Sequence, residues 1–132
     1  MDPKPENYIL YIEDDPEMID LVSMILTRHQ YHVKGANGGR EGLTLMESSI
    51  PDLVLLDLMM PDLDGWDVFR QIKSIPAWAN VPVIIITAKA QDIDRVLGLQ
   101  IAKVDDYICK PFRPQELLDS IKRVLSKQSQ TD

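Results

Sequence analysis

Tyr8-Ile9-Leu10-Tyr11-Ile12-Glu13-Asp14-Asp15 sets the terms for the chain: five apolar or aromatic residues in a row, then three acids. A continuous apolar run this short reads as a strand buried on both faces. The same arrangement returns three times. Leu53-Val54-Leu55-Leu56 stops at Asp57, Val83-Ile84-Ile85-Ile86 stops at Thr87, and the shorter Tyr107-Ile108-Cys109 stops at Lys110-Pro111. Set parallel, the four runs bring their carboxyl ends to one edge of a sheet, which is where open α/β folds bind ligands. Carboxylates, a hydroxyl and an ammonium then share one crevice.

Between the runs the periodicity changes. Pro16 fits the first turn of a helix, and Met18, Ile19, Val22, Ile25 and Leu26 recur at helical spacing. Tyr31-His32-Val33-Lys34-Gly35 alternates like a short, half-exposed strand, and Gly38-Gly39 precedes a second helix with Leu43, Leu45 and Met46 inward. Asp64 is the expected N-cap of a third helix containing Val68, Phe69 and Ile72. Pro76 and Pro82 bound the segment leading to the next strand. A helix carrying Ile93, Val96, Leu97 and Ile101 follows it, and Pro114 starts a last helix whose Leu117, Leu118, Ile121, Val124 and Leu125 form one apolar face. A β-α unit repeated five times calls for a parallel sheet with helices on both faces.

With 132 residues the chain suits one domain with a single sizeable core. The net charge of −7 argues against binding nucleic acid by overall attraction. Cys109 has no second cysteine to pair with and lies in an apolar run, so a buried, inert thiol is expected. The opening Met1-Asp2-Pro3-Lys4-Pro5-Glu6 holds no apolar core of a signal peptide, and no run approaches membrane-spanning length. A cytoplasmic protein with no membrane contact is expected. Residues 1–7 read as a disordered leader and 127–132 as a polar tail, with the domain between them at 8–126.

The chemistry starts with Glu13, Asp14 and Asp57. Three carboxylates at neighbouring strand ends repel one another, and burial pushes their affinity for protons upward. A hard divalent cation relieves this, and Mg²⁺ suits a site of few carboxylates, several waters and a phosphate. Asp15 is expected to face the start of the first helix instead. Asp57 directly follows a buried run, and a carboxylate there can act as nucleophile toward a phosphoryl donor. Such a transfer needs positioning and positive charge. A metal held by Asp14 supplies part of that charge and Lys110 more, Thr87 offers a hydroxyl, and the small Ala88 leaves room for the incoming group.

Taken in order, these residues closely resemble the receiver domain of bacterial two-component response regulators, of the chemotaxis-regulator type. The resemblance runs from Tyr8 to about Leu125. It rests on the acidic cluster, the Asp57-Leu58-Met59-Met60-Pro61-Asp62-Leu63-Asp64-Gly65 segment, the Thr87-Ala88 pair and Lys110-Pro111-Phe112. It implies a flavodoxin-like five-stranded parallel sheet in the order 2-1-3-4-5. It also implies that Asp57 is the phosphoacceptor for a sensor histidine kinase or phosphotransfer protein. Mg²⁺, with Mn²⁺ as a substitute, would lie among Glu13, Asp14, Asp57 and the backbone carbonyl of Met59, with Glu13 acting through water. Thr87, Ala88 and Lys110 would bind the phosphoryl group, Thr87 and Tyr107 would form a switch pair whose ring moves inward on phosphorylation, and the bond to Pro111 would be cis. The module would signal to a downstream protein rather than to nucleic acid, as a monomer or a phosphorylation-linked dimer. It would be no enzyme beyond promoting its own phosphorylation and dephosphorylation.

One segment departs from the family pattern. Gly98-Leu99-Gln100-Ile101-Ala102-Lys103-Val104-Asp105-Asp106-Tyr107 lacks the usual glycine before the last strand and is one residue longer, which leaves the customary left-handed helix end without its residue. Other functions fit less well. A phosphatase of the haloacid-dehalogenase type wants a second aspartate where Met59 stands. A flavodoxin wants a phosphate-cradling loop where Glu13-Asp14-Asp15 would repel phosphate. A receiver-like scaffold indifferent to phosphate would show lost site residues, and none is missing. His29 and His32 lack a positioned acid, and Trp66, Trp78 and Met60 read as packing residues.

Overall fold

The computed structural model describes residues 6–88, 94 and 96–130. Five strands, β1 (Tyr8–Glu13), β2 (His32–Asn37), β3 (Leu53–Leu56), β4 (Val83–Thr87) and β5 (Asp106–Cys109), alternate with helices α1 (Pro16–Thr27), α2 (Gly39–Ser48) and α3 (Gly65–Ser74), a π-helical segment (Leu97–Ala102) and α4 (Pro114–Gln130). All strand pairs are parallel, and the order is β2-β1-β3-β4-β5. This is the flavodoxin-like sheet expected of the sequence.

Strand alternation sends successive side chains to opposite faces and so divides the core in two. Leu10, Ile12, Val54, Leu56, Val83, Ile85 and Tyr107 meet Met46 of α2 and Val68, Phe69 and Ile72 of α3. On the other face Ile9, Leu53, Leu55, Ile84, Ile86 and Ile108 meet Val22 and Leu26 of α1 and Leu117, Ile121 and Val124 of α4. Burial on both sides is why β3 is apolar throughout and β1 and β4 are apolar up to their last residues, Glu13 and Thr87. The edge strand β2 alternates instead, and it runs on to Asn37, past the expected end at Gly35, because each residue from His32 to Asn37 pairs with one from Tyr8 to Glu13.

The helix starts follow from their caps. Asp15 accepts the Glu17 N–H at 3.0 Å ahead of Pro16, so it faces α1 and not the acidic crevice. Asp64 caps α3 through the Trp66 N–H at 2.7 Å, and Trp66 packs edge-on against Phe69. At the far end, α4 continues through Gln130, so part of the segment read as a tail is helical; Lys127 and Gln128 are unbranched residues that suit a helix. Of the leader, only Glu6 and Asn7 are described, and they form a turn.

The clearest correction concerns the stretch before β5. Ile93 lies outside the described residues, while Val96, Leu97 and Ile101 are exposed, Ile101 at 71%. The residue buried there is Gly98, with Leu99 and Ala102 half-buried. The backbone is π-helical, bonded i to i+5, so the 3.6-residue spacing used to group the apolar residues does not hold. Lys103 takes the left-handed conformation (φ 60°, ψ 44°) that glycine would normally supply, and it donates its N–H to the Gly98 carbonyl. Cys109 is half-buried rather than fully enclosed, as it stands at the end of its strand.

Candidate functional site

Strand register brings the polar ends together. Ile12 pairs with Leu56, so Glu13 and Asp57 leave adjacent strands side by side, and the Asp57 N–H donates to the Ile12 carbonyl at 3.0 Å. Thr87 pairs with Cys109, and the Lys110 N–H donates to the Thr87 carbonyl at 2.9 Å. The crevice lies where the chain order reverses between β1 and β3, the position at which sheets of this order bind ligands.

Asp57 is 3% exposed, although it is the first residue after its strand. Its Oδ1 accepts the Met59 N–H at 3.1 Å, which fixes the carboxylate, and its Oδ2 lies 3.4 Å from Lys110 Nζ. Lys110 leans further toward Glu13, donating to Oε1 at 3.0 Å and Oε2 at 2.9 Å. Glu13 is 1% exposed, and Tyr11, two residues back on the same strand face, donates its hydroxyl to Glu13 Oε2 at 3.1 Å. Burial drives the Glu13 carboxyl up to about 7, against the pull of the Lys110 ammonium and with the help of Asp57. Burial would lower Lys110, but its bonds and attraction to the two carboxylates outweigh this and hold it above its ordinary value.

Glu13, Asp14 and Asp57 can each turn an oxygen to within 4.8 Å of the others. Three hard oxygen donors this close, with an ammonium already drawn among them, fit a small divalent cation. Thr87 is buried at the end of β4, and Ala88 is exposed beside it. Alternation puts Thr87 on the sheet face of Ile85, which pairs with Tyr107. The Tyr107 ring is fully buried here. Gly98 makes that possible: a Cβ on it would stand 2.8 Å from the ring. The Lys110–Pro111 bond is cis.

Two contributors escaped the sequence reading. Tyr11 looked like one more apolar residue of β1; its spacing of two from Glu13 was the available signal. Asp62 gave none. Its carboxylate accepts the N–H groups of Gly39 at 3.1 Å and Arg40 at 3.0 Å, capping α2 from the loop that follows Asp57, because the N-cap Gly38 has no side chain to do so. These bonds, that of Arg40 foremost, hold the Asp62 carboxyl below its ordinary value of 3.8. A depressed carboxyl contributes stability that is complete above its unfolded value and is lost as pH falls through the folded one. The melting-temperature gap between wild type and Asp62→Asn should therefore be constant above about pH 5 and shrink as acid is added below the ordinary carboxylate range. A gap that widens in acid would contradict the cap.

Comparison with known proteins agrees with this geometry. The family profile described as response regulator receiver domain matches residues 9–122. The chain is 40% identical over 121 residues to the transcriptional regulatory protein CpxR homolog of Haemophilus influenzae, covering 92% of this chain and 51% of that protein. It is 40% identical over 131 residues to the transcriptional regulatory protein ResD of Bacillus subtilis, covering 99% and 53%. It thus spans about half the length of these relatives. Among solved structures, a CheY-like response regulator receiver domain protein from Methanospirillum hungatei superposes with a TM-score of 0.86 at 30% identity, over 96% of this chain and 98% of that one. The BeF3-activated N-terminal receiver domain of Klebsiella pneumoniae RstA gives 0.81 at 31% identity, over 90% and 98%.

Proposed function

The chain belongs to the response regulator receiver domain family, and from that premise we propose that Asp57 accepts a phosphoryl group from the phosphohistidine of a sensor histidine kinase or phosphotransfer protein. The observation that carries this reading is the state of the Asp57 carboxylate: buried, held through one oxygen by the Met59 N–H, and turned through the other toward Lys110 beside two further acids.

Asp57 Oδ2 attacks phosphorus and forms a P–O bond as the P–N bond to the donor imidazole breaks. The bonding pair stays on the ring nitrogen, which takes up a proton, and the product is an acyl phosphate. Lys110 draws toward the phosphoryl oxygens as their charge spreads in the transition state, Thr87 offers its hydroxyl, and the small Ala88 leaves space. Glu13, Asp14, Asp57 and the Met59 carbonyl would hold Mg²⁺ or Mn²⁺, Glu13 through water, and the cation when bound neutralises negative charge on the phosphoryl oxygens. Water later attacks the same phosphorus, the P–O bond to Asp57 breaks with its electron pair left on the carboxylate, and inorganic phosphate leaves. Phosphorylation biases the Thr87–Tyr107 pair and with it a surface read by a downstream protein, in a cytoplasmic monomer or phosphorylation-linked dimer. Relatives whose names describe transcriptional regulators make gene control the leading output.

Incubation with acetyl phosphate and Mg²⁺ should add the mass of one phosphoryl group, and neither Asp57→Asn nor the wild type in chelator should gain it. An unchanged gain in the variant would overturn the assignment.

A further inference from the structure

We propose that Tyr11 is a positioning residue for the metal and phosphoryl site, its phenol holding the Glu13 carboxylate in place from beneath. Tyr11 is fully buried in the middle of the sheet, among Ile9, Val22, Leu53 and Leu55. Phenylalanine would fill that space without a polar atom. A hydroxyl placed there costs free energy unless it is hydrogen-bonded. Its partner is Glu13 Oε2, at 3.1 Å. A carboxylate oxygen only accepts, so the phenol is the donor of this pair.

The bond matters because the other donor to Glu13 has a second task. Lys110 holds both Glu13 oxygens and also reaches Asp57 Oδ2. A phosphoryl group on Asp57 offers this flexible ammonium new anionic oxygens, and its bonds to Glu13 weaken as it turns to them. Tyr11 is anchored by its ring in the core and does not move with Lys110. It therefore keeps Glu13 aimed at the metal whichever way Lys110 points, and does so without adding a charge that would compete with the cation.

This rests on the reading of the acidic crevice as a Mg²⁺ site serving Asp57. The test is Mg²⁺ titration calorimetry of the unphosphorylated protein, wild type against Tyr11→Phe. The variant should bind Mg²⁺ about three- to tenfold more weakly, the effect of one hydrogen bond of ordinary net strength, with the melting temperature of the metal-free protein nearly unchanged. Half-saturation of acetyl phosphate labelling by Mg²⁺ should move by the same factor while the rate at saturating Mg²⁺ does not. In a Glu13→Gln background, Tyr11→Phe should have no further effect. Unchanged Mg²⁺ affinity in Tyr11→Phe, an equal loss in the Glu13→Gln background, or no Mg²⁺ binding by the wild type would each overturn the proposal. Tyr11-dependent Mg²⁺ binding in a wild type that gains no phosphoryl group would instead support Tyr11 and refute Asp57 as acceptor.

Discussion

Gly65→Ala is expected to destabilise the protein by about 1–3 kcal/mol, the usual cost of forcing an extra carbon into a filled space, and to slow labelling of Asp57. Ordinarily the change goes the other way, since alanine stiffens the unfolded chain and stabilises by about 0.4–1 kcal/mol where the backbone accepts it. Here a Cβ would stand 2.4 Å from the Leu58 Cα and 2.5 Å from the Asp57 carbonyl oxygen. Both are backbone atoms and cannot swing aside. The Gly65 N–H also donates to the Leu58 carbonyl at 3.0 Å, so the start of α3 is fastened to the chain leaving Asp57. Denaturant unfolding measures the first effect and a labelling time course the second. A neutral or stabilised variant with normal labelling would mean that α3 does not set the position of Asp57.

Asp57→Asn should do the opposite to the metal-free fold and stabilise it, on the order of 1–2 kcal/mol at an effective dielectric near 20. Asp57 faces Glu13 and Asp14 within 4.8 Å and one ammonium at 3.4 Å, so two repulsions oppose one attraction. Removing a buried charge also removes the cost of keeping it from water. Asparagine retains the oxygen that receives the Met59 N–H, so the loop keeps its anchor. Mg²⁺ should then raise the melting temperature of the wild type more than that of the variant, because the variant has lost a ligand. Equal increases in both would place the metal elsewhere.

Most of the fold was legible because its determinants are local. The buried strands announce themselves as unbroken apolar runs, Asp15 and Asp64 as caps, and Leu117, Ile121 and Val124 as one helix face. The site was legible for a related reason: each of its side chains stands at a strand end, so placing the strands places Glu13, Asp57, Thr87 and Lys110. What stayed hidden depends on contacts between distant parts of the chain. Asp62 capping α2 joins residues more than twenty positions apart. Lys73 donates to the Ala79 and Val81 carbonyls and ties down the connection into β4. The π-helical turn does not follow the 3.6-residue period, so Ile101, inward at that spacing, is exposed while Gly98 carries the contact with Tyr107. Tyr11 stands in an apolar run, where its spacing of two from Glu13 is the one sign that its hydroxyl has a task.

One measurement reaches Asp57 directly. Borohydride reduces an aspartyl acyl phosphate to homoserine, and peptide mapping by mass spectrometry locates the product. Protein treated with acetyl phosphate and Mg²⁺ should carry homoserine at position 57, and untreated protein should carry none. Homoserine at Asp14 or another acid, or a stable phosphoryl mass with no homoserine at all, would contradict the account.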